Sequence, residues 1–200
     1  VVVTADGVLR GTKPIKLYSI VDAAAEMAAE QGMPLDKAIV LNRLGDGSTE
    51  LRAGRDEWWD DALSAQKADC PVTWVDAEDP LFVLYTSGST GKPKGVVHTT
   101  GGYMVYTATT SKYVFDLQQD DVYFCTADCG WITGHSYVTY GPLLNRATQL
   151  IFEGVPSYPD AGRLWRMVDK YSVTQLYTAP TAIRALMRTG REPVEATSRK

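Results

Sequence analysis

The stretch "LFVLYTSGSTGKPKG", residues 81–95, decides the fold class, because it joins a short apolar run to a loop rich in glycine, hydroxyl groups and lysine. The run 81–85 is typical of a buried strand, and ligands in open α/β sheets collect at the carboxyl ends of strands. Glycines let backbone N–H groups converge on one point, and hydroxyls add donors. The loop therefore predicts a binding site for nucleotide phosphates, formed by Thr86, Ser87, Gly88, Ser89, Thr90, Gly91, Lys92, Lys94 and Gly95.

Two other interpretations of this loop fit less well. A Walker A loop has the spacing G-x-x-x-x-G-K-[ST], whereas Gly88 and Gly91 enclose only Ser89 and Thr90. Pro93 lacks an N–H and does not suit a loop that runs straight into a helix. A flexible linker is disfavoured, because linkers seldom follow a buried strand so abruptly.

Apolar periodicity along the chain alternates between strand and helix patterns, which favours an α/β fold with a largely parallel sheet covered on both faces. No internal repeat or low-complexity tract is present. The predicted strands are residues 1–4, 38–41, 72–75, 81–85, 122–125, 148–152 and 174–177. The predicted helices are residues 19–31, 56–65, 99–115, 136–144, 161–171 and 180–189.

The motif "YTSGSTGKPKGVVHT" resembles the signature of the adenylate-forming acyl-CoA synthetase superfamily. The segments "GRDEWWDDAL", "ADCGWITGHSYVTYGPLLNRATQLIFEGVPSYP" and "LYTAPTAIRALM" are similar to its acetyl-CoA synthetase branch, so the resemblance covers nearly the whole chain. It implies a reaction in which acetate attacks the α-phosphate of ATP, bound with Mg²⁺, to give acetyl-AMP and pyrophosphate. The CoA thiol then displaces AMP.

The resemblance also assigns a CoA site. The segment Arg10, Gly11, Thr12 and Lys13 matches a basic segment, usually Arg-Gly-Gly-Arg, that holds the nucleotide phosphates of CoA in the family. Taken alone, two cations around a glycine are more typical of a solvated surface. Lys13 keeps the charge of the second arginine, but it cannot make the bidentate contact of a guanidinium.

The same resemblance places an acyl pocket at Trp131, Ile132 and Thr133, with Thr133 and Ser157 along the CoA path. Many family members have valine where Ile132 stands and asparagine where Ser157 stands. The extra methylene of Ile132 would make the pocket slightly smaller. The polar side chain of Ser157 is shorter than that of asparagine and extends less far toward CoA.

No residue of this chain is assigned a catalytic role. A general base at His135 is disfavoured, because the attacking carboxylate is already ionised. In the family, an aromatic-Gly-x-Thr-Glu segment, a ribose-binding aspartate and the adenylation lysine of a C-terminal domain lie further along, and no segment between Lys94 and Lys200 matches them.

The chain also begins with a strand pattern and no methionine, so we expect residues 1–200 to be part of the N-terminal AMP-binding domain, cut within that domain and inactive alone. A propionyl-CoA synthetase is the alternative within the enzyme class. A truncated product that only folds or binds phosphate is the alternative outside it.

Composition agrees with a cytoplasmic enzyme. The chain has 44% hydrophobic and 22% charged residues, and it has no apolar run of membrane-spanning length. A net charge of −4 disfavours a nucleic-acid partner, and the oligomeric state stays open.

Two smaller patterns favour structural roles. Cys125 and Cys129 could join His98 or His135 at zinc, but the three cysteines (the third is Cys70) lack a paired metal-ligand spacing, so reduced thiols and no bound metal are expected. The pair of tryptophans at 58 and 59 is more typical of core and surface cover than of ligand stacking.

Overall fold

The computed structural model describes residues 1–86 and 91–198. The chain divides into two compact units, Val1–Val72 and Thr73–Lys200. No helix in the described part is long and apolar enough to cross a membrane. Four predicted phosphate-site residues lie outside the described residues: Ser87, Gly88, Ser89 and Thr90.

The first unit is built on a three-stranded parallel sheet in which strand Ala38–Leu41 lies between strands Val2–Ala5 and Asp56–Trp58. Tyr18 packs against Ala38 and Val40 of this sheet, and Trp58 covers the same cluster. The tryptophan pair therefore divides as predicted, since Trp58 joins the core while Trp59 is 38% exposed. The elements of this unit are β1 Val2–Ala5, β2 Val8–Arg10, β3 Lys13–Ile15, α1 Leu17–Glu30, β4 Ala38–Leu41, β5 Asp56–Trp58 and α2 Trp59–Ser64.

The second unit is built on another three-stranded parallel sheet, in which strand Val122–Cys125 lies between strands Gln175–Tyr177 and Thr148–Leu150. Phe124 of the central strand packs with Leu164 and Leu186 in its core. The strands of this unit are β6 Pro80–Thr86, β7 Lys94–Thr99, β8 Val122–Cys125, β9 Thr148–Leu150 and β10 Gln175–Tyr177. Its helices are α3 Thr100–Val114, α4 Ile132–Gly134, α5 Gly141–Leu144, α6 Arg163–Lys170, α7 Pro180–Met187 and α8 Glu192–Glu195, with a π-helical turn at His135–Tyr140 between α4 and α5.

Each unit also contains an antiparallel hairpin that sequence periodicity did not predict. Strands β2 and β3 form the first hairpin, and β6 and β7 form the second. The α/β prediction is confirmed, with parallel pairing in both three-stranded sheets. The hairpins are the antiparallel part of the fold.

Three predictions of local structure were wrong. Residues 72–75 form no strand, and Trp74 there is 90% exposed, because an apolar run becomes a strand only when another strand pairs with it. The predicted helix 56–65 begins as strand β5, since Val40 pairs with Trp58 in the parallel sheet. The run 81–85 is a strand, but it is half-buried or exposed rather than buried.

The buried face of α1 also differs from the predicted one. Tyr18 and Ala25 are buried, whereas Ile20 and Met27, expected on the core face, are 61% and 62% exposed. An alanine-rich helix carries small apolar residues on every side, so its periodicity fits more than one face.

Candidate functional site

The described residues of the predicted phosphate site lie at one end of the β6–β7 hairpin. Thr86, the last residue of β6, pairs with Lys94, the first residue of β7, so residues 87–93 form the connection. Gly91 has a φ of 83°, a left-handed conformation that L side chains rarely adopt. The loop therefore joins two strands, which differs from the strand-to-helix geometry of a Walker A loop and agrees with the exclusion made from Pro93.

Close packing also fixes the strands behind the loop. Gly95 pairs with Tyr85, and a Cβ added at Gly95 would lie 2.9 Å from Cγ1 of Val83. Lys92 and Lys94 are exposed beside it. The hairpin thus presents two ammonium groups at its tip, next to the loop whose glycines and hydroxyls suggested a polyanion site.

A cavity of about 550 Å³ lies at the other end of β7. Strand β7, the first turns of α3 and the helical segment that starts with α4 form its walls. The first turn of α3 is held from outside by backbone carbonyls, because the N–H groups of Thr100 and Gly101 donate to Asp79 and Ala77. The lining residues are Val97, His98, Thr99, Gly102, Tyr103, Tyr106, Ile132, Thr133, Ser136 and Tyr137.

An aromatic group supports this cavity from the side of the hairpin. The ring of Phe82 lies 4.7 Å from His98 and 4.9 Å from Tyr103, and it meets the ring of His135 edge-on at 5.7 Å. Edge-to-face pairs at these distances are favourable. His135 therefore packs against an aromatic ring and is not among the lining residues, while His98 is.

The segment from α4 to α5 packs closely along α3. A Cβ added at Gly141 would lie 2.2 Å from Oγ of Ser111 and 2.9 Å from the carbonyl oxygen of Thr107, so only glycine allows this approach. Nδ2 of Asn145 donates to the carbonyl oxygen of Ala108 at 3.0 Å. The end of this segment is therefore packed directly against α3 at residues that do not line the cavity.

The segment from α4 to α5 follows strand β8 in the chain, after the carboxyl end of the parallel sheet. Strands β8 and β10 end next to each other, and the hydroxyls of Thr126 and Thr178, the residues after them, lie 2.5 Å apart. Ligand sites of open α/β sheets occur at this edge. The chain leaves β8 here and reaches Ile132 within a few residues.

The acyl-pocket prediction is only partly matched by the cavity. Ile132 and Thr133 line it, whereas the side chain of Trp131 does not, and Trp131 is 67% exposed. Ser157 is exposed in the connection between β9 and α6. The remaining lining residues on α3 and the π-helical turn were not predicted. Tyr103 belongs to a buried polar stripe with Thr107 and Ser111, spaced four residues apart on α3, but only Tyr103 of these three lines the cavity.

The predicted CoA-site residues form the β2–β3 hairpin of the first unit. Arg10 pairs directly with Lys13, with Gly11 and Thr12 in the turn, and Gly11 has a φ of 66°. Like charges directly opposite each other destabilise a strand pair. Within the described part of the chain, no ion pair is formed by either cation.

Other cations of this unit have carboxylate partners. Nζ of Lys16 lies 3.0 Å from Oδ2 of Asp46. Nε of Arg55 lies 2.6 Å from Oδ1 of Asp56, and this contact lowers the pKa of Asp56 to about 2. Because Arg10 and Lys13 have no such partners among the residues that the structure describes, their charges on the β2–β3 hairpin are available to an external anion.

The cysteines do not approach a metal geometry in the described structure. Among residues 1–86 and 91–198, no group of three His, Cys, Asp or Glu side chains could hold a metal ion. Cys125 is buried in β8, and this burial raises the pKa of its thiol, while Cys129 is exposed. A buried, protonated thiol is typical of a structural cysteine.

The two three-stranded parallel sheets with their helices define an α/β class of protein. The model of the family described as "AMP-binding enzyme" matches residues 8–200, so the chain belongs to the AMP-binding enzyme family.

Curated relatives agree with this assignment over the whole chain. It is 57% identical to "Acetyl-coenzyme A synthetase, chloroplastic/glyoxysomal" of Arabidopsis thaliana, covering 100% of this chain and 27% of that protein. It is 57% identical to the acetyl-coenzyme A synthetase of Aeromonas salmonicida and 56% identical to that of Syntrophobacter fumaroxidans, in each case covering 100% of this chain and 30% of the relative. The chain thus spans less than a third of the length of these relatives.

Proposed function

We propose that the protein containing this chain is an acetate–CoA ligase that forms acetyl-CoA, AMP and pyrophosphate from acetate, ATP and CoA. The observation that carries this proposal is 54–57% identity, over essentially the whole chain, to proteins named acetyl-coenzyme A synthetase. The cavity beside Ile132 and Thr133 and the two cationic hairpins supply the kinds of contact that the three substrates need.

In the first half-reaction, an acetate oxygen attacks the α-phosphorus of ATP, and the bond from that phosphorus to the pyrophosphate oxygen breaks. The pyrophosphate leaves with its added negative charge. Lys92 and Lys94, exposed at the tip of the β6–β7 hairpin, are proposed to neutralise charge on the β- and γ-phosphates. The same role is proposed for the hydroxyls and backbone N–H groups of the other predicted phosphate-site residues, which are Thr86, Ser87, Gly88, Ser89, Thr90, Gly91 and Gly95.

Magnesium enters this proposal as part of the substrate. No group of three metal-ligating side chains exists in the described part of the chain, so the residues at hand do not form a protein-held metal site. Mg²⁺ prefers phosphate oxygens and water to a complete set of protein ligands. We therefore expect it to arrive bound to the phosphates of ATP.

In the second half-reaction, the CoA thiol attacks the carbonyl carbon of acetyl-AMP, and the bond to the AMP oxygen breaks. Arg10 and Lys13 are proposed to bind the nucleotide phosphates of CoA, because their charges face each other without carboxylate partners. Thr133 and Ser157 are proposed to contact CoA along its path. An enzyme with these substrates needs ATP and CoA, which is consistent with a cytoplasmic location, although the name of the Arabidopsis relative places that protein in chloroplasts and glyoxysomes.

The reaction type is tested by incubating the full-length protein with ATP, CoA and acetate and identifying every product. We expect equal amounts of AMP, pyrophosphate and acetyl-CoA. ADP and phosphate as products would contradict the proposal. A higher kcat/KM for propionate than for acetate would favour the propionyl-CoA synthetase alternative, since a pocket separates acids one methylene apart by only about 1–3 kcal/mol.

The acyl assignment is tested by Ile132→Ala in the full-length protein, with Trp131→Ala as the matched control. Ile132 lines the cavity, whereas Trp131 is its exposed neighbour. Removing the Ile132 side chain opens space for a longer acid, so we expect the preference to shift toward propionate and butyrate by about tenfold. The control should leave the ratio of kcat/KM values unchanged. The reverse pattern would assign the pocket to Trp131.

A further inference from the structure

We propose that Tyr103 is a positioning residue for the acyl site: its hydroxyl, through Ser136, fixes the helical segment that carries Ile132 and Thr133 and so sets which carboxylic acid is accepted. This inference rests on the function proposed above. It concerns a pair of residues that would not themselves react with the substrates. Their role follows from one buried hydrogen bond and from the unusual helix that it holds.

The hydrogen bond joins the two walls of the cavity. Tyr103 lies on α3 and Ser136 on the segment after α4, and their hydroxyl oxygens are 2.7 Å apart. Tyr103 is 5% exposed and Ser136 is 4% exposed, so both residues are largely shielded from bulk water. Burial raises the pKa of Tyr103, which keeps its hydroxyl protonated and available as a donor.

The segment that receives this bond is a π-helical turn. The N–H of Gly141 donates to the carbonyl oxygen of Ser136, five residues earlier, in place of the four-residue spacing of an α-helix. Such turns are rare and occur mostly as short insertions at functional sites. Ser136 is therefore at once a member of this turn, a lining residue of the cavity and the partner of Tyr103.

A movement of Ser136 would reach the acyl wall directly. Ile132 and Thr133 precede Ser136 by about one helical turn, and all three line the cavity. A pocket discriminates between acids one methylene apart by about 1–3 kcal/mol, so a small displacement of this wall changes the selectivity. The bond to Tyr103 ties that wall to α3, whose first turn is itself fixed by Ala77 and Asp79.

The ring of Tyr103 has its own contacts, so the hydroxyl can be removed without removing the packing. The ring lies 4.9 Å from Phe82, 5.2 Å from His98 and 5.4 Å from Tyr140, in edge-on arrangements. Tyr103→Phe keeps these contacts and deletes only the bond to Ser136. Ser136→Ala deletes the same bond from the other side.

The test uses the full-length protein and the ratio of kcat/KM for acetate to kcat/KM for propionate. Both acids are assayed on one preparation, so a loss of folded enzyme cancels from the ratio. We expect Tyr103→Phe to lower the ratio by about threefold or more, with the KM for ATP unchanged. Ser136→Ala should shift it in the same direction, and the double variant should shift it no further, because both changes remove one bond.

The control is Asn145→Ala, which removes a different hydrogen bond between the same two helical segments, at a residue that does not line the cavity. We expect a lower Tm and an unchanged ratio. An unchanged ratio in both Tyr103→Phe and Ser136→Ala, with an active wild type, would overturn the inference alone. A wild type that forms no acyl-CoA from either acid would overturn the proposed function and the inference with it.

Discussion

Each of the two units presents cations on an antiparallel hairpin, but the two hairpins differ in the length of their connections. In the first unit, Arg10 and Lys13 face each other across a turn formed by Gly11 and Thr12. In the second unit, residues 87–93 connect the paired residues Thr86 and Lys94. The tight turn offers an anion two side-chain charges, whereas the sequence of the longer connection also contains glycines and hydroxyl-bearing residues.

This difference matches the two kinds of phosphate in the proposed reaction. The phosphates of CoA do not react, so point charges that attract and hold them are sufficient. The phosphates of ATP change their charge during adenylation, and donors fixed in advance around that charge lower the barrier. The long hairpin should therefore affect the rate of adenylation, and the short one should affect the affinity for CoA.

The largest effect is expected at the long hairpin. Lys92→Ala in the full-length protein should slow acetate-dependent exchange of labelled pyrophosphate into ATP by about 100-fold, because one charge-stabilising donor is lost. CoA transfer from preformed acetyl-AMP should change much less, since the β- and γ-phosphates are absent from that step. Exchange at the wild-type rate would remove Lys92 from the phosphate site.

A smaller effect is expected at the short hairpin. Arg10→Ala or Lys13→Ala should raise the KM for CoA by about tenfold, because each charged hydrogen bond to a phosphate contributes about 1.5–3 kcal/mol. Pyrophosphate exchange should stay near normal. The matched control is Lys16→Ala, three residues beyond Lys13, whose charge is already paired with Asp46. An equal rise in KM for all three variants would indicate general electrostatic attraction in place of a site.

The smallest effect is expected for the ion pair between Lys16 and Asp46, whose contribution to stability depends on pH. Hydrogen bonds from Ser48, and then the contact with Lys16, lower the pKa of Asp46 to about 2 from the usual value of about 4. A lowered pKa in the folded state means that the pair stabilises the chain above about pH 4 and loses this contribution as the pH falls through about 2. We expect Asp46→Asn to unfold more readily than wild type at pH 5, and this difference in urea midpoint to become much smaller at pH 2. A constant difference at both pH values would contradict this pairing.

The sequence was sufficient for those parts of the fold that depend on local pattern. The predicted helices 99–115, 161–171 and 180–189 and the predicted strand 122–125 correspond to α3, α6, α7 and β8. The exclusion of a Walker A loop followed from the spacing of Gly88 and Gly91 and from Pro93. The antiparallel hairpins were missed, because β2 and β3 have only three residues each, too few for a recognisable alternation, and β7 directly follows the glycine-rich loop. The strand at residues 56–58 was read as helix, because its pairing with β4, which lies earlier in the chain, is a non-local contact.

The candidate site, like the fold, was predicted only in part from the sequence. Ile132 and Thr133 were expected beside the acyl group, and both line the cavity, while the lining residues of α3 were not anticipated. A tyrosine followed by threonine and serine at four-residue spacing marks a buried polar face, but periodicity does not indicate what that face contacts. The bond between Tyr103 and Ser136 also depends on the π-helical turn, which has no recognisable sequence pattern.

The proposal that the two hairpins have separate roles is tested most directly by measuring both half-reactions on single preparations of full-length Lys92→Ala and Arg10→Ala. The quantity is the rate of acetate-dependent pyrophosphate exchange divided by the rate of CoA transfer from acetyl-AMP at subsaturating CoA. We predict that this ratio falls in Lys92→Ala and rises in Arg10→Ala, relative to wild type. A ratio that is unchanged, or that moves in the same direction in both variants, would contradict separate roles for the two hairpins.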